Sequence, residues 1–200
     1  VLSLQQLTAI YRNVLSENVF ATKCETMATE VNDAIQKYAV SEHLDFGEMY
    51  AYEIDGFGNK LFMDDANVPS LMSLAYLGAH KTTDSIYKNT RKFLLSDYNP
   101  YFLKGALAVG QASPHTGKNK IWPMGIILRG MTSTDVDEIK KCLTMLKATH
   151  AGTGFMHEGF DKDDPNIYSR DWFAWANTLF GELIIKINNE NPSILALKFD

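Results

Sequence analysis

Cysteine is scarce: the 200 residues hold only Cys24 and Cys142, far apart and outside any metal-ligand spacing. That excludes a disulfide-stapled scaffold and a cysteine-built zinc site. Each lies beside apolar residues in a helix-like stretch, so both are expected as buried free thiols of a reducing compartment. Basic runs are lacking too. With a net charge of −5 spread along the chain, the phosphate-neutralising patch that nucleic-acid binding requires is missing. No uninterrupted apolar stretch approaches bilayer-spanning length, so no membrane crossing is expected. His-Glu-x-x-His, Gly-x-Ser-x-Gly, the P-loop and the dinucleotide fingerprint do not occur. Asp161, Asp163 and Asp164 hint at calcium, but Pro165 and the missing Gly and Glu break the EF-hand spacing. Neither a metal nor a cofactor is therefore expected, and hydrolysis by carboxylates is the enzyme chemistry left. No leader is visible, which with the thiols favours the cytoplasm. The chain opens at Val1 without methionine, so the compartment stays open.

What is present is the composition of a folded chain, 46% hydrophobic and 22% charged, with enough apolar residues for a core. Helical periodicity dominates. Leu4, Leu7, Ile10, Tyr11, Val14 and Leu15 make one stripe, and a second helix reads from about Phe20 to Ala39. Residues 48–54 alternate and turn through Asp55-Gly56-Phe57-Gly58-Asn59 onto Lys60 to Met63, a short hairpin. Val68-Pro69 is expected to open a helix through Leu71, Leu74 and Leu77, closed by Gly78. Further helices read over about 84–95, from Trp122-Pro123 to Gly130, and from a Thr134 cap with Val136, Ile139, Leu143 and Leu146 inward. The last, about 171–187, is apolar nearly all round and is expected to be buried. The sum is an all-α fold whose long loops, 55–69, 100–122 and 152–171, hold most of the Gly, His and Asp. Long loops on a rigid scaffold usually carry function.

Three loop motifs bear chemistry. In Thr149-His150-Ala151-Gly152-Thr153-Gly154-Phe155-Met156-His157-Glu158-Gly159-Phe160, paired glycines permit a tight turn with positive φ. His150, His157 and Glu158 are thereby held among aromatic and apolar walls. A carboxyl in such a place can serve as an acid/base catalyst; the alternative is a packed loop with a solvated Glu. Met63-Asp64-Asp65-Ala66-Asn67-Val68-Pro69 sets two carboxylates and an amide before a helix, as caps, as acceptors for substrate hydroxyls, or as both. Ser113 to Pro123 gathers His115, Asn119 and Lys120 beside Trp122, either a sugar platform or a polar loop docked on a core indole.

These loops resemble those of the metal-independent exo-α-1,6-mannosidases, glycoside hydrolase family 125. The matching stretches are Met63 to Ser70, His115-Thr116 with Ile121-Trp122-Pro123, Gly152-Thr153-Gly154 with Met156-His157-Glu158, and Trp172-Phe173-Ala174-Trp175-Ala176-Asn177. They come in the family's order. The likeness is strong from about Tyr50 to Leu183 and looser over the first two helices. It implies an (α/α)6 barrel of the six-hairpin type and an inverting enzyme that releases terminal α-1,6-linked mannose from N-glycan-type oligosaccharides. Glu158 matches the family's general base. Asp64, Asp65, Asn67, His115, His150 and His157 match loop positions that would line the mannose pocket, and Trp122, Trp172 and Trp175 would be pocket wall or core. The family's general acid lies in an Arg-Pro-Ser-Asp-Asp stretch upstream of the region matching Leu2 to Ala39, and that stretch does not occur here. Residues 1–200 are therefore expected to be the C-terminal part of one catalytic domain. Its partners are then a mannose-containing oligosaccharide and either the other half of the barrel or a second copy. A non-catalytic mannoside-binding or structural piece of that enzyme is the alternative.

Overall fold

The structure is a computed structural model describing residues 1–199. Helices are its main regular elements: α1 (Leu2–Asn13), α2 (Asn18–Ala34), α3 (Ser85–Leu94), α4 (Pro123–Met131), α5 (Val136–Ala148) and α6 (Ala174–Glu190). A π-helical turn, Ile35–Ala39, extends α2 to the predicted end. Between the helices run short antiparallel strands: β1 (Val40–His43) with β2 (Gly47–Tyr50), β3 (Glu53–Ile54) with β4 (Lys60–Leu61), and β5 (Phe102–Lys104) with β6 (Val109–Gln111). A three-stranded sheet joins β7 (Lys120–Ile121), β8 (Gly159–Asp161) and β9 (Tyr168–Ser169) in that order.

The fold is thus mainly helical but not all-α. Strands of two to four residues are too short to show a period-two pattern. The expected hairpin over 48–54 is divided between two pairs, β1–β2 and β3–β4, although Asp55 does make the turn by accepting the N–H groups of Phe57 and Asn59.

The helix expected from Pro69 is replaced by a single 3-10 turn, Met72–Leu74, after a cis Val68-Pro69 peptide. Its N–H groups are drawn elsewhere: Leu71 and Met72 donate to the Asp64 carboxylate, and Ser70 and Ser73 bond each other.

The core is centred on α4. Proline fits its first turn, and all of residues 123–128, with Gly130 and Met131, are buried. Burying each large apolar side chain there contributes about 1.5–3 kcal/mol. α5 and α6 pack on either side, and Gly130 faces both: an added Cβ would stand in ordinary contact, 3.5 Å from Cys142 Cβ and from Leu183 Cδ1. α5 presents Ile139, Cys142, Leu143 and Leu146, as its stripe predicts, while Val136 is exposed. Its cap is Asp135, which accepts the Asp137 N–H, rather than Thr134. Glu138 ties this end to its neighbours through Arg91 and Arg129, each at 2.8 Å.

Two apolar faces lack cover among the described residues. α6 buries Ala176, Leu179, Leu183 and Ile187, yet Trp175 and Ile185 on the same helix are exposed, as is Trp172 just before it. α1 packs on α2, with Tyr11 and Phe20 stacked at 5.6 Å, but Leu7, Ile10, Val14, Leu15, Val19 and Phe20 are exposed. A cavity of ≈ 880 Å³ separates this helical hairpin from the body, lined by Gln5, Ile35, Tyr50, Tyr52, Leu71 and Leu77 among others.

Candidate active site

Backbone pairing brings the predicted loops together. Ala66 N–H donates to Ala112 O at 3.0 Å, Trp122 N–H donates to Gln111 O at 3.0 Å, and Ala112 bridges to Ile121. β7 then pairs with β8, and β8 with β9. Five segments thereby lie side by side and carry, in order, Asp65 and Asn67, Ser113 and His115, Trp122, Glu158, and Arg170.

Glu158 sits in a stretch where each successive residue is pinned. Met156 is clamped by Asn177, whose Oδ1 accepts the Met156 N–H at 3.1 Å and whose Nδ2 donates to Met156 O at 2.8 Å. His157 is buried, its ring stacked on Tyr168 with centroids 3.9 Å apart and planes 4° off parallel. Its Nδ1 lies 2.8 Å from Asp171 O; a carbonyl only accepts, so Nδ1 carries the proton and donates. Glu158 N–H donates to Ser169 O at 3.1 Å. Gly159 is required by the next layer, since a Cβ there would meet Trp122 Cδ1 at 2.9 Å. Upstream, Gly152 and Gly154 take φ of 74° and 76°, and Thr153 N–H and Oγ1 both bond His150 O. The turn expected from the paired glycines is there.

The Glu158 side chain itself is mostly covered, 14% exposed, and meets Arg170 Nε at 3.6 Å from Oε2. Sequence reasoning passed Arg170 over. Its guanidinium also stands over the Phe173 ring, 5.4 Å from the centroid, and Phe173 meets Trp122 edge-on at 6.0 Å. The arrangement is a mostly covered carboxylate with a cation on one side and aromatic walls beside it, chemically suited to taking a proton from water.

The other predicted residues divide. His115 is exposed, 6.4 Å from the Trp122 ring, and Asn67 is half-buried, its Nδ2 donating to Asp65 Oδ2 at 2.7 Å. Asp65 is buried, and its carboxylate orients Asn67 and accepts from Ser113 Oγ. The remaining four are buried or turned aside. Asp64 is fully buried and its oxygens accept from Leu71 N–H, Met72 N–H and Gln111 Nε2, so it holds the loop. Burial pushes its carboxyl up to about 7, against the pull of those donors. His157 lies beneath the site, occupied with Asp171 and Tyr168. Trp122 is 3% exposed, its Nε1–H spent on Thr116 Oγ1, so it is wall and not open platform. His150 faces away: its Nδ1 accepts the Gly154 N–H, and it lines a separate cleft of ≈ 330 Å³ with Met156, Phe180, Ile184 and Phe199.

Among the described residues, no three His, Cys, Asp or Glu side chains gather as a metal site would need. No helix there is long and apolar enough to cross a membrane.

Comparison with known proteins fits this geometry. The sequence is 47% identical over 169 residues to the Meiotically up-regulated gene 157 protein of Schizosaccharomyces pombe, covering 84% of this chain and 33% of that one. The fold superposes with a TM-score of 0.90 and 38% identity on a Streptococcus pneumoniae metal-independent alpha mannosidase, solved in a non-productive substrate complex with alpha-1,6-mannobiose. That match covers 95% of this chain and 45% of the solved one, so the chain spans less than half the length of either relative. The sequence model of the metal-independent alpha-mannosidases, GH125, matches residues 1–185. The chain belongs to that family.

Proposed function

We propose that residues 1–200 are the C-terminal part of an (α/α)6 catalytic domain that hydrolyses terminal α-1,6-linked mannose from N-glycan-type oligosaccharides with inversion. Glu158 is the general base. In an inverting glycosidase, one carboxylic acid protonates the leaving oxygen while a carboxylate on the opposite face activates water, the two roughly 6.5–9.5 Å apart. Glu158 takes the proton of that water as its oxygen attacks the anomeric carbon. The acid belongs to the part of the polypeptide that precedes the α1–α2 hairpin. Asn67 and His115 are the donors placed to meet hydroxyls, and Asp65 orients Asn67.

The observation that carries this reading is the pinning of residues 156–159 around a mostly covered carboxylate. The mannobiose bound by the pneumococcal relative supports the choice of sugar and linkage. Proton NMR of the methyl glycoside of α-1,6-mannobiose, whose leaving group is methyl mannoside rather than free mannose, tests it: β-mannose must appear before mutarotation and must vanish with Glu158→Ala. Early α-mannose would overturn inversion.

A second reading, a mannoside-binding or structural piece without turnover, is favoured by the 45% coverage of the solved relative and by the uncovered faces of α1, α2 and α6. Mixing this chain with the separately expressed preceding half decides between them. Restored hydrolysis supports the catalytic reading, and mannoside binding without cleavage supports the second.

A further inference from the structure

Arg170 follows β9 with a backbone φ of 52°, in the left-handed region. Glycine or asparagine is at ease there, and a long side chain is strained. Its side chain is 63% exposed and meets Glu158 at 3.6 Å, beyond hydrogen-bond distance. An ion pair so open to solvent adds little to folding. Strain that returns little stability marks a position selected for something else. The surroundings say what. The guanidinium carbon lies 5.4 Å from the Phe173 centroid, a cation–π contact that fixes where the charge sits. Phe173 is itself tied by its N–H to Met156 O, two residues before Glu158. Ser169 accepts the Glu158 N–H. The backbone of the carboxylate and the backbone of the cation are therefore locked to each other, and the left-handed turn at Arg170 delivers the guanidinium to Glu158 Oε2.

We propose that Arg170 is a positioning residue for the hydrolytic reaction: seated on Phe173, its guanidinium orients the Glu158 carboxylate toward the attacking water. The assignment rests on Glu158 being the general base. Two features distinguish it from a structural tie. Removing the side chain relieves backbone strain, so the fold should gain or keep stability while catalysis falls. The effect should also be on kcat rather than on KM, because the guanidinium acts through Glu158.

The test uses the complete enzyme, this chain joined to the preceding barrel half, as wild type, Arg170→Gly and Arg170→Lys. Arg170→Gly is expected to hold or raise Tm and to lower kcat on the order of 100-fold, the scale of a misplaced catalytic group, with KM little changed. Guanidinium at non-denaturing concentration should restore part of the lost rate, and Arg170→Lys should lie between the two. Independently of turnover, the carboxyl ¹³C resonance of Glu158, assigned with Glu158→Gln, should move in Arg170→Gly and return toward its place when guanidinium is added. Wild-type kcat in Arg170→Gly, or a resonance that stays still, overturns the proposal. If the wild-type enzyme cleaves no mannoside, the general-base reading falls, and the resonance alone decides whether Arg170 holds the Glu158 carboxylate.

Discussion

The α1–α2 hairpin and the strand around Glu158 are held in opposite ways. In the hairpin, α1 buries only Thr8 and α2 only Ala21 and Ala28, while six large hydrophobic side chains between Leu7 and Phe20 face outward. Around Glu158, four successive residues are tied to three neighbouring segments, by Asn177 of α6, by Tyr168, Ser169 and Asp171 of β9 and the turn after it, and by the Trp122 ring. Amphipathic helices can be specified by their own periodicity, but burial of their stripe depends on whatever covers it. A catalytic carboxylate cannot wait for its surroundings in that way; it must be pre-set by bonds from several elements. The contrast separates a part held by bonds from several elements from a part whose apolar stripe has no cover among the described residues.

That contrast can be broken at several depths. The largest effect belongs to Glu158→Gln in the complete enzyme: a loss of about 10²–10⁴-fold in kcat, the usual worth of a general base, with Tm unchanged. A comparable loss of stability would mean that the residue is structural. Next comes Leu128→Ala in α4, expected to cost about 2–5 kcal/mol in urea unfolding, against less than about 0.5 kcal/mol for Val14→Ala on the exposed stripe. Equal costs would erase the distinction between the two regions.

Asp64 supplies a pH test. Its carboxyl lies at about 7 when folded against an ordinary 3.8, so the folded state holds a proton that the unfolded state releases. This contribution is complete below about pH 4 and declines as pH rises to 7, with a slope of about 1.4 kcal/mol per pH unit inside that window. Urea titrations at pH 4.5, 5.5, 6.5 and 7.5 should show the decline, and Asp64→Asn should flatten it. A slope identical in the two proteins contradicts the assignment. Asn177→Ala removes two hydrogen bonds to Met156 and takes away the acceptor of its N–H, while Met156 O keeps the Phe173 N–H, costing about 1–3 kcal/mol. It should lower kcat as well, because the strand bearing Glu158 loosens. The smallest effect on stability is expected from Val14→Ser with Val19→Ser, yet in this chain expressed alone they should shift sedimentation from associated species toward monomer. Unchanged sedimentation would mean that the hairpin stripe is not what associates.

How far the sequence could be read follows the same division. α3 to α6 were legible because their stripes run for several turns and their starts carry Asp84, Pro123 and Asp135. The paired glycines of 152–154 announced their turn, and Glu158 stood out as the acid beside it. What escaped depends on contacts distant in sequence. The strands of two or three residues exist only as pairs; the Pro69 helix failed because Asp64 takes the N–H groups of Leu71 and Met72. Burial of Asp64, His157 and Trp122 involves Gln111, Tyr168 and Phe173 from other segments, which the local sequence does not show. Arg170 left no mark in the sequence beyond a lone cation before two tryptophans, because its meaning lies in a backbone angle.

The most direct test of Glu158 as general base is azide rescue. In Glu158→Ala, α-mannosyl fluoride needs little acid assistance, and azide can take the place of the activated water. The account predicts that azide attacks the anomeric carbon as fluoride leaves, giving β-mannosyl azide at a rate that rises with azide concentration. An α-mannosyl azide, or no rescue while the variant is folded and binds mannoside, would contradict it.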